Sequence, residues 1–518
     1  MTEAPSGASP RAMSFEALTP SAFLARSALV FADKTAVIDG DRRWTYSELH
    51  TRCMRLAGAL RGIGIQCGER VAVLAPNTHL LLEAHYGIPM AGAVLVALNM
   101  RLTADDLAYI IEHSGARVLI FDPEFAETAR AIAAKVSVRL MTGEEYETLL
   151  ASAQPHSEPV ADERGLISIN YTSGTTGKPK GVMYHHRGAY LQSLAMVTHT
   201  RMHEASVYLW TLPMFHCNGW CFTWAVTAAG GTHLCLRKLD AGAIWDHLHD
   251  SGVTQLCAAP TVLIMLAWHE KAQPLARTAN IATGGAPPTP ALLARMAELN
   301  INMTHLYGLT ETFGPAVLCE WRKDWDTWPP EKQALIKARQ GVGNVISQNI
   351  RVVDDAGRDV PPDGNTLGEI ALRGNNVMLG YYRDDEATRK AAPDGWFRTG
   401  DLAVMHDDGY LEIRDRAKDI IISGGENIAS VEIERCLSAH PAVLEAAVVA
   451  APDDKWGEVP VAFVTLKPGH CTDANTLIAH TREHMAHFKA PKKIVFGDLP
   501  KNATGKIQKF VLREKARA

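Results

Sequence analysis

Between positions 171 and 181 the chain runs Tyr-Thr-Ser-Gly-Thr-Thr-Gly-Lys-Pro-Lys-Gly, a loop whose residue types suit a polyphosphate. Gly174 and Gly177 let backbone approach an anion, Ser173, Thr175 and Thr176 carry hydroxyl donors, and Lys178 and Lys180 bring positive charge. A bare Gly-Thr-Thr-Gly is an ordinary surface turn, whereas this longer stretch follows a strand-like segment, 166–171, with Ile167, Ile169 and Tyr171 on one face. That spacing predicts a half-buried strand. The loop is not the common P-loop, which has four residues between its glycines and Ser or Thr after its lysine. Here two residues separate Gly174 from Gly177, and Pro179 follows Lys178, so a different nucleotide-binding architecture is expected.

Further segments carry groups that suit such a site. Tyr307-Gly-Leu-Thr-Glu-Thr offers Thr310 and Glu311. A Thr-Glu pair alone is a weak signal, but a carboxylate beside polyphosphate is the usual way to hold Mg²⁺. Gly284, Gly285 and Ala286 form a run of small residues, and Asp401 is expected in a Gly-bounded turn, its carboxylate able to accept two hydroxyls. Lys506 lies on a Gly-bearing loop and His216 follows an apolar Met-Phe pair. Taken singly, the first reads as a surface charge and the second as a packed core residue.

The elements around these residues alternate. Residues 45–60 have helical spacing, 71–74, 94–98 and 118–121 are short apolar runs suited to buried strands, and a helical stretch begins at His79. This predicts an α/β architecture, a large N-terminal domain of mostly parallel β-sheets flanked by helices. Past Gly409 an alternating segment reaches a charged cluster at 414–419, followed by about a hundred residues with their own apolar strands at 446–449 and 461–465. A small α+β C-terminal domain is therefore expected, dividing the chain into 1–416 and 417–518.

Together these segments resemble the acyl-adenylate-forming enzymes, the family of acyl-CoA synthetases, aryl-CoA ligases, peptide-synthetase adenylation domains and beetle luciferase. The resemblance spans roughly residues 23–515, and the 171–181 loop matches the family's phosphate signature almost residue for residue. It implies that Thr172, Ser173, Gly174, Thr175, Thr176, Gly177, Lys178 and Lys180 hold the ATP phosphates. Gly284, Gly285 and Ala286 would line the adenine, and Tyr307 would pack on it. Thr310 would reach a phosphate, Glu311 would place Mg²⁺, and Asp401 would take the ribose with Arg416 assisting. Lys506 would be the adenylation lysine, contacting the substrate carboxylate and the α-phosphate, and His216 would border and gate the acyl pocket. Lys418 would be the hinge of a mobile C-terminal domain, and Gly424, Gly425 and Glu426 would line the CoA tunnel.

The implied reaction joins a carboxylic acid to CoA through an acyl-adenylate, releasing AMP and pyrophosphate. Trp220, Trp224, Val262, Thr283 and Val317, mostly apolar or aromatic, are the candidate walls of the acyl pocket and suggest an uncharged acid tail. The segment 321–340, with Trp321, Trp325 and Trp328, resembles an insertion in 3-methylmercaptopropionate–CoA ligases and a plant acyl-activating subgroup. A short- to medium-chain acid follows, methylthio-substituted and aromatic acids included. Those tryptophans could equally form a packed surface helix or a dimer contact, and family members occur as monomers and homodimers. The same motifs admit transfer to another acceptor such as a carrier protein, a luciferase-type oxygenase, or a non-catalytic nucleotide-binding protein. His216-Cys217-Asn218 stands where peptide-synthetase domains keep an aspartate, which disfavours the carrier reading.

The bulk composition fits. At 518 residues the chain exceeds one compact core, and a net charge of −5 with 21% charged residues gives no general case for nucleic acid. Only the end from Phe488 is basic, with nine Lys/Arg against Asp498 and Glu514. The nine cysteines lack CxxC or zinc-like spacing, which suits reduced thiols. With no run of eighteen apolar residues and no signal-peptide character at the N-terminus, no membrane span and a cytoplasmic location are expected.

Overall fold

A computed structural model describes residues 16–172, 178–284, 288, 290–347, 350–424, 426–453, 455–501 and 507–517. The first long helix shows how local chemistry sets an element. Thr45 Oγ1 accepts the Glu48 amide at 3.2 Å while the Glu48 carboxylate accepts the Thr45 amide at 2.7 Å, a capping box that starts Tyr46–Gly62. Next comes a six-stranded sheet ordered Arg139–Thr142, Ala116–Phe121, Arg70–Leu74, Val94–Ala97, Leu166–Tyr171 and Gly181–His185. Its first five strands are parallel and the last runs antiparallel. Helix His79–Met90 is buried along its whole length, as its nearly continuous apolar sequence requires.

A nine-stranded sheet carries the second core. Its central strands Ile301–Leu309, Ala279–Gly284, Gln255–Ala258, Val207–Leu209, Thr232–Leu234 and Thr35–Asp39 are parallel neighbours. Antiparallel strands close it at both edges, Gly314–Leu318 and Val342–Gly343 at one and Arg42–Thr45 at the other. A four-stranded antiparallel sheet follows: Arg351–Val353, Gly368–Leu372, Phe397–Met405 and Leu411–Arg416. Beyond it lies the smaller domain. Helices Ser430–Ser438 and Ala474–His484 cover one face of a sheet built on Val443–Asp453 and Gly457–Leu466, with Ile433, Leu437, Val448, Val464 and Leu477 in that core. Leu512 of helix Lys509–Arg517 packs with Val449, Val461 and Phe463 in a second cluster. The fold is thus a large N-terminal domain of largely parallel sheets and helices with a smaller C-terminal domain.

Two segments differ from, or sharpen, the sequence expectation. Leu166–Tyr171 is buried on both faces, because Ser168 and Asn170 are as covered as Ile167 and Ile169. Its polar face is sealed by Asn218, whose Oδ1 accepts Ser168 Oγ at 2.9 Å and Asn170 Nδ2 at 2.7 Å. In the segment 321–340, Trp325 is 3% exposed, with ring centroids 5.3 Å from Trp321 and 5.4 Å from both Trp328 and Tyr410. The tryptophans pack as one cluster against the start of strand Leu411–Arg416. No helix among the described residues is long and apolar enough to cross a membrane.

Candidate active site

The phosphate-type loop closes a hairpin. Leu166–Tyr171 enters, Gly181–His185 leaves, and the Thr172 amide donates to the Lys180 carbonyl at 3.0 Å across its base. This is strand–loop–strand geometry, unlike the strand–loop–helix of a P-loop. Ser173, Gly174, Thr175, Thr176 and Gly177 lie outside the described residues. Of the two lysines, Lys178 Nζ stands 4.9 Å from the Tyr109 ring centroid and Lys180 Nζ 4.7 Å from that of Tyr381.

Thr310 and Glu311 form a 3-10 turn between Ile301–Leu309 and Gly314–Leu318. Thr312 Oγ1 locks that turn, accepting the Leu309 amide at 2.9 Å and donating to the Gly314 carbonyl at 2.7 Å. The Thr310 carbonyl accepts Tyr184 Oη at 2.6 Å, the Glu311 carbonyl accepts the Met378 amide at 2.8 Å, and Tyr381 Oη donates to Glu311 Oε1 at 2.8 Å. Glu311 is thus held from the backbone and from its side chain.

Asp401, expected in a turn, instead lies inside the strand Phe397–Met405, where pairing with Leu411–Arg416 draws it into the ladder, and it is 4% exposed. Its Oδ2 accepts Tyr307 Oη at 2.7 Å and its Oδ1 lies 3.0 Å from Arg416 Nε. Sheet register explains the ion pair, since Asp401 and Arg416 face each other on adjacent antiparallel strands. Burial, then the Asp401 charge, pushes the Tyr307 phenol well up, so it remains a donor. An ionised carboxylate has about four lone-pair sites, so two remain for other donors.

Gly284 ends its strand opposite Leu306. A Cβ there would stand 2.9 Å from the Leu306 carbonyl oxygen and 3.1 Å from the Trp220 ring, and one at Gly314 (φ +98°) would stand 3.1 Å from Trp220 Cα. Trp220 therefore packs between two glycines that have no room for a side chain. Its own backbone is left-handed, as are its neighbours': Cys217, Asn218, Gly219, Trp220 and Cys221 all have φ between 50° and 64°. Left-handed conformation costs about 1–2 kcal/mol per non-glycine residue, so the surrounding contacts must over-determine this turn. Thr223 Oγ1 donates to the Asn218 carbonyl at 3.0 Å, and the Cys217 thiol donates to Thr310 Oγ1 at 3.7 Å. Burial pushes that thiol up to about 12, which keeps it protonated. His216 precedes the turn, its Nε2 3.8 Å from Cys217 Sγ, so His216 and Thr310 flank one sulfur.

The other acyl-pocket candidates are distributed among separate clusters. Trp224 is fully buried and donates Nε1 to the His85 carbonyl at 3.1 Å, Val262 packs with Leu263 and Ile281, and Val317 with Ile370 and Phe397. Thr283 is fully buried, its hydroxyl without a hydrogen-bond partner among the described residues. Lys418 lies in the turn Ala417–Asp419, its amine lowered by burial first and then by Arg416 and Arg513. Arg513 donates to the Lys418 carbonyl at 3.3 Å and pairs with Asp419. Gly424 donates its amide to the Trp456 carbonyl at 2.8 Å, and a Cβ on it would be 2.8 Å from that indole. Glu426 begins the strand Glu426–Ile428. Gly285, Ala286, Gly425 and Lys506 lie outside the described residues. Sequence reasoning missed Tyr381, Tyr184 and Cys217. Of these, only the adjacency of Cys217 to His216 gave any signal.

The family described as AMP-binding enzyme matches residues 24–382, and the AMP-binding enzyme C-terminal domain matches 432–506. An acetate–CoA ligase of Humulus lupulus is 46% identical, over 98% of this chain and 96% of that protein. A peroxisomal acetate/butyrate–CoA ligase of Arabidopsis thaliana is 44% identical, over 97% and 95%. A 4-hydroxybutyrate–CoA ligase of Metallosphaera sedula is 42% identical, over 99% and 97%. Among solved structures, ATP-bound MatB from Rhodopseudomonas palustris superposes with a TM-score of 0.85 at 29% identity, covering 96% of this chain and 99% of that one. A benzoate CoA ligase from Burkholderia xenovorans LB400 gives 0.86 at 26% identity, with the same coverage.

Proposed function

The chain belongs to the AMP-binding enzyme family, and on that premise we propose that this acyl-CoA synthetase activates a short- to medium-chain monocarboxylic acid with ATP and transfers it to CoA. The observation that carries the reading is the Tyr307–Asp401–Arg416 chain of contacts beside the Glu311 turn. A buried carboxylate with two lone-pair sites left suits a ribose, and the lysine-flanked hairpin suits the phosphates. In the first step an oxygen of the acid's carboxylate attacks the α-phosphorus of ATP and pyrophosphate leaves. In the second the CoA thiol attacks the acyl carbon and AMP leaves. No enzyme nucleophile is needed, so catalysis consists of positioning and charge neutralisation.

We assign Lys178, Lys180 and Thr172 to the phosphates, Gly284 and Tyr307 to adenine, Asp401 and Arg416 to ribose, and Lys506 to the reacting carboxylate. His216 borders the acyl group. Among the described residues no three His, Cys, Asp or Glu gather as a metal cage. Glu311 offers one carboxylate, and it would hold a Mg²⁺ that enters with ATP. Bound there, the metal would neutralise phosphate charge. Residues 417–518 would rotate about Lys418 between the two steps, bringing Gly424 and Glu426 to the pantetheine arm.

A limit on chain length is proposed because Trp220 is wedged between Gly284 and Gly314, where a long tail would need space. The names of the acetate, acetate/butyrate and 4-hydroxybutyrate ligases agree with that size. The test is AMP and pyrophosphate release over acetate, butyrate, octanoate, palmitate, 3-(methylthio)propionate, benzoate and cinnamate, with and without CoA. CoA-dependent turnover on the short acids is expected. Release that CoA does not accelerate points to another acceptor, and silence throughout overturns the proposal.

A further inference from the structure

We propose that Tyr381 is a positioning residue that sets the spacing between the Glu311 carboxylate and the Lys180 ammonium, and with it the fit of the site to a metal-bound triphosphate. The inference rests on the nucleotide-binding reading above. Its basis is a segment that belongs to neither of the elements it joins. Residues 378–382 lie along the strand leaving the phosphate-type hairpin: Leu379 N donates to Met183 O at 3.0 Å, Met183 N to Gly380 O at 3.0 Å, and Tyr382 N to Gly181 O at 2.7 Å. The same segment reaches the other side through Met378 N, which donates to Glu311 O at 2.8 Å. Tyr381 repeats this link with its side chain, its hydroxyl donating to Glu311 Oε1 at 2.8 Å while its ring carries Lys180 Nζ at 4.7 Å.

The residue is itself fixed. Its amide donates to Thr388 Oγ1 at 2.9 Å, and a Cβ on the preceding Gly380 (φ +144°) would stand 2.7 Å from the Thr388 methyl carbon. Tyr381 is 9% exposed, and burial, then the Glu311 charge, pushes its phenol well up, so it stays a donor at any working pH. Glu311 Oε2 has no hydrogen-bond partner among the described residues, so one oxygen is oriented and the other is open for a cation. Hydrogen bonds that orient a ligating carboxylate typically matter about tenfold to a hundredfold in metal affinity, and a ring beneath a lysine holds its charge in place.

The two parts of the side chain therefore predict separable effects. Fluorescence titration with mant-ATP, in Mg²⁺ and again in EDTA, reads them without turnover. Tyr381→Phe keeps the ring and loses the donor. It should weaken binding in Mg²⁺ by about tenfold and leave binding in EDTA as in the wild type. Tyr381→Leu should weaken both. Thr388→Val, which releases the Tyr381 amide, should give a smaller loss confined to Mg²⁺, and it supplies the test if a thermal melt shows Tyr381→Phe unfolded. Wild-type affinity of Tyr381→Phe in Mg²⁺, or an equal loss in EDTA, overturns the inference and leaves the proposed function standing. A wild-type chain that binds no mant-ATP overturns both.

Discussion

Asp401 and Arg416 are cross-strand partners whose side chains close a 3.0 Å ion pair on the face where Tyr307 also reaches the carboxylate. Arg416 is the last residue of its strand and Lys418 lies in the turn that follows. The proposed ribose carboxylate is thus tied directly to the proposed hinge.

Asp401→Asn keeps the shape but removes the charge facing Arg416 and one acceptor site. An imperfectly satisfied buried group costs about 1–3 kcal/mol, which at 1.4 kcal/mol per decade is about tenfold to a hundredfold in KM for ATP. Initial rates at saturating acid check this, and an unchanged KM would remove Asp401 from the nucleotide site.

Trp220→Ala should widen the acyl site. Space opens between Gly284 and Gly314, so kcat/KM for octanoate relative to butyrate is expected to rise about tenfold or more, the worth of burying about two of the four methylenes by which the acids differ. A ratio unchanged from the wild type would place the chain-length limit elsewhere.

Acid stability should fall early. Burial depresses His85, His185, His186 and His305 to about 4 and His233 to about 3, below the ordinary 6.5. A folded pKa below the unfolded one means that the unfolded chain binds more protons between those values, so stability drops as pH falls from about 6.5 towards 4. His79 runs the other way. Burial would lower it, but hydrogen bonds to Asp39 and Glu147 outweigh that and raise it. Its contribution is full below 6.5 and fades as pH rises through its folded value. A flat melting temperature between pH 6.5 and 4.5 contradicts the first expectation. The second fails if His79→Gln leaves the alkaline decline as steep as before.

Trp325→Ala should act on stability alone. Removing a buried Trp from the cluster with Trp321, Trp328 and Tyr410 costs about 3 kcal/mol. The melting temperature should drop by several degrees while KM for ATP and acid stays put. A changed acid preference would instead tie the segment to the substrate.

Asp415→Asn should loosen the proposed domain junction. Asp415 Oδ2 accepts the Ser430 hydroxyl at 2.7 Å and its amide, and the same hydroxyl accepts Lys509 Nζ at 2.6 Å. Cleavage near 417–420 in limited proteolysis is expected to quicken. Unchanged cleavage would mean that this cap does not hold the junction.

Much of the site is written in contiguous stretches. The hairpin around the phosphate-type loop and the Thr310-Glu311 turn show because glycine, hydroxyl and charge placement act within a few residues of chain. The short apolar runs became parallel strands for the same local reason. What stayed hidden joins distant parts of the chain. Ser168 and Asn170 alternate with Ile167 and Ile169 like an exposed face, and only Asn218, about fifty residues on, meets them there and accepts a hydrogen bond from each. The left-handed run Cys217–Cys221 has one glycine to announce it; Trp220 is held by Gly284 and Gly314, Cys217 by Thr310, Asn218 by Thr223 and Cys221 by the Phe313 carbonyl. Tyr381 meets Glu311 across a separation of 70 residues, and Tyr307 meets Asp401 across 94. Local propensity records what a residue prefers, whereas register and packing select which distant side chain it meets. Those partnerships exist only once the sheets are assembled.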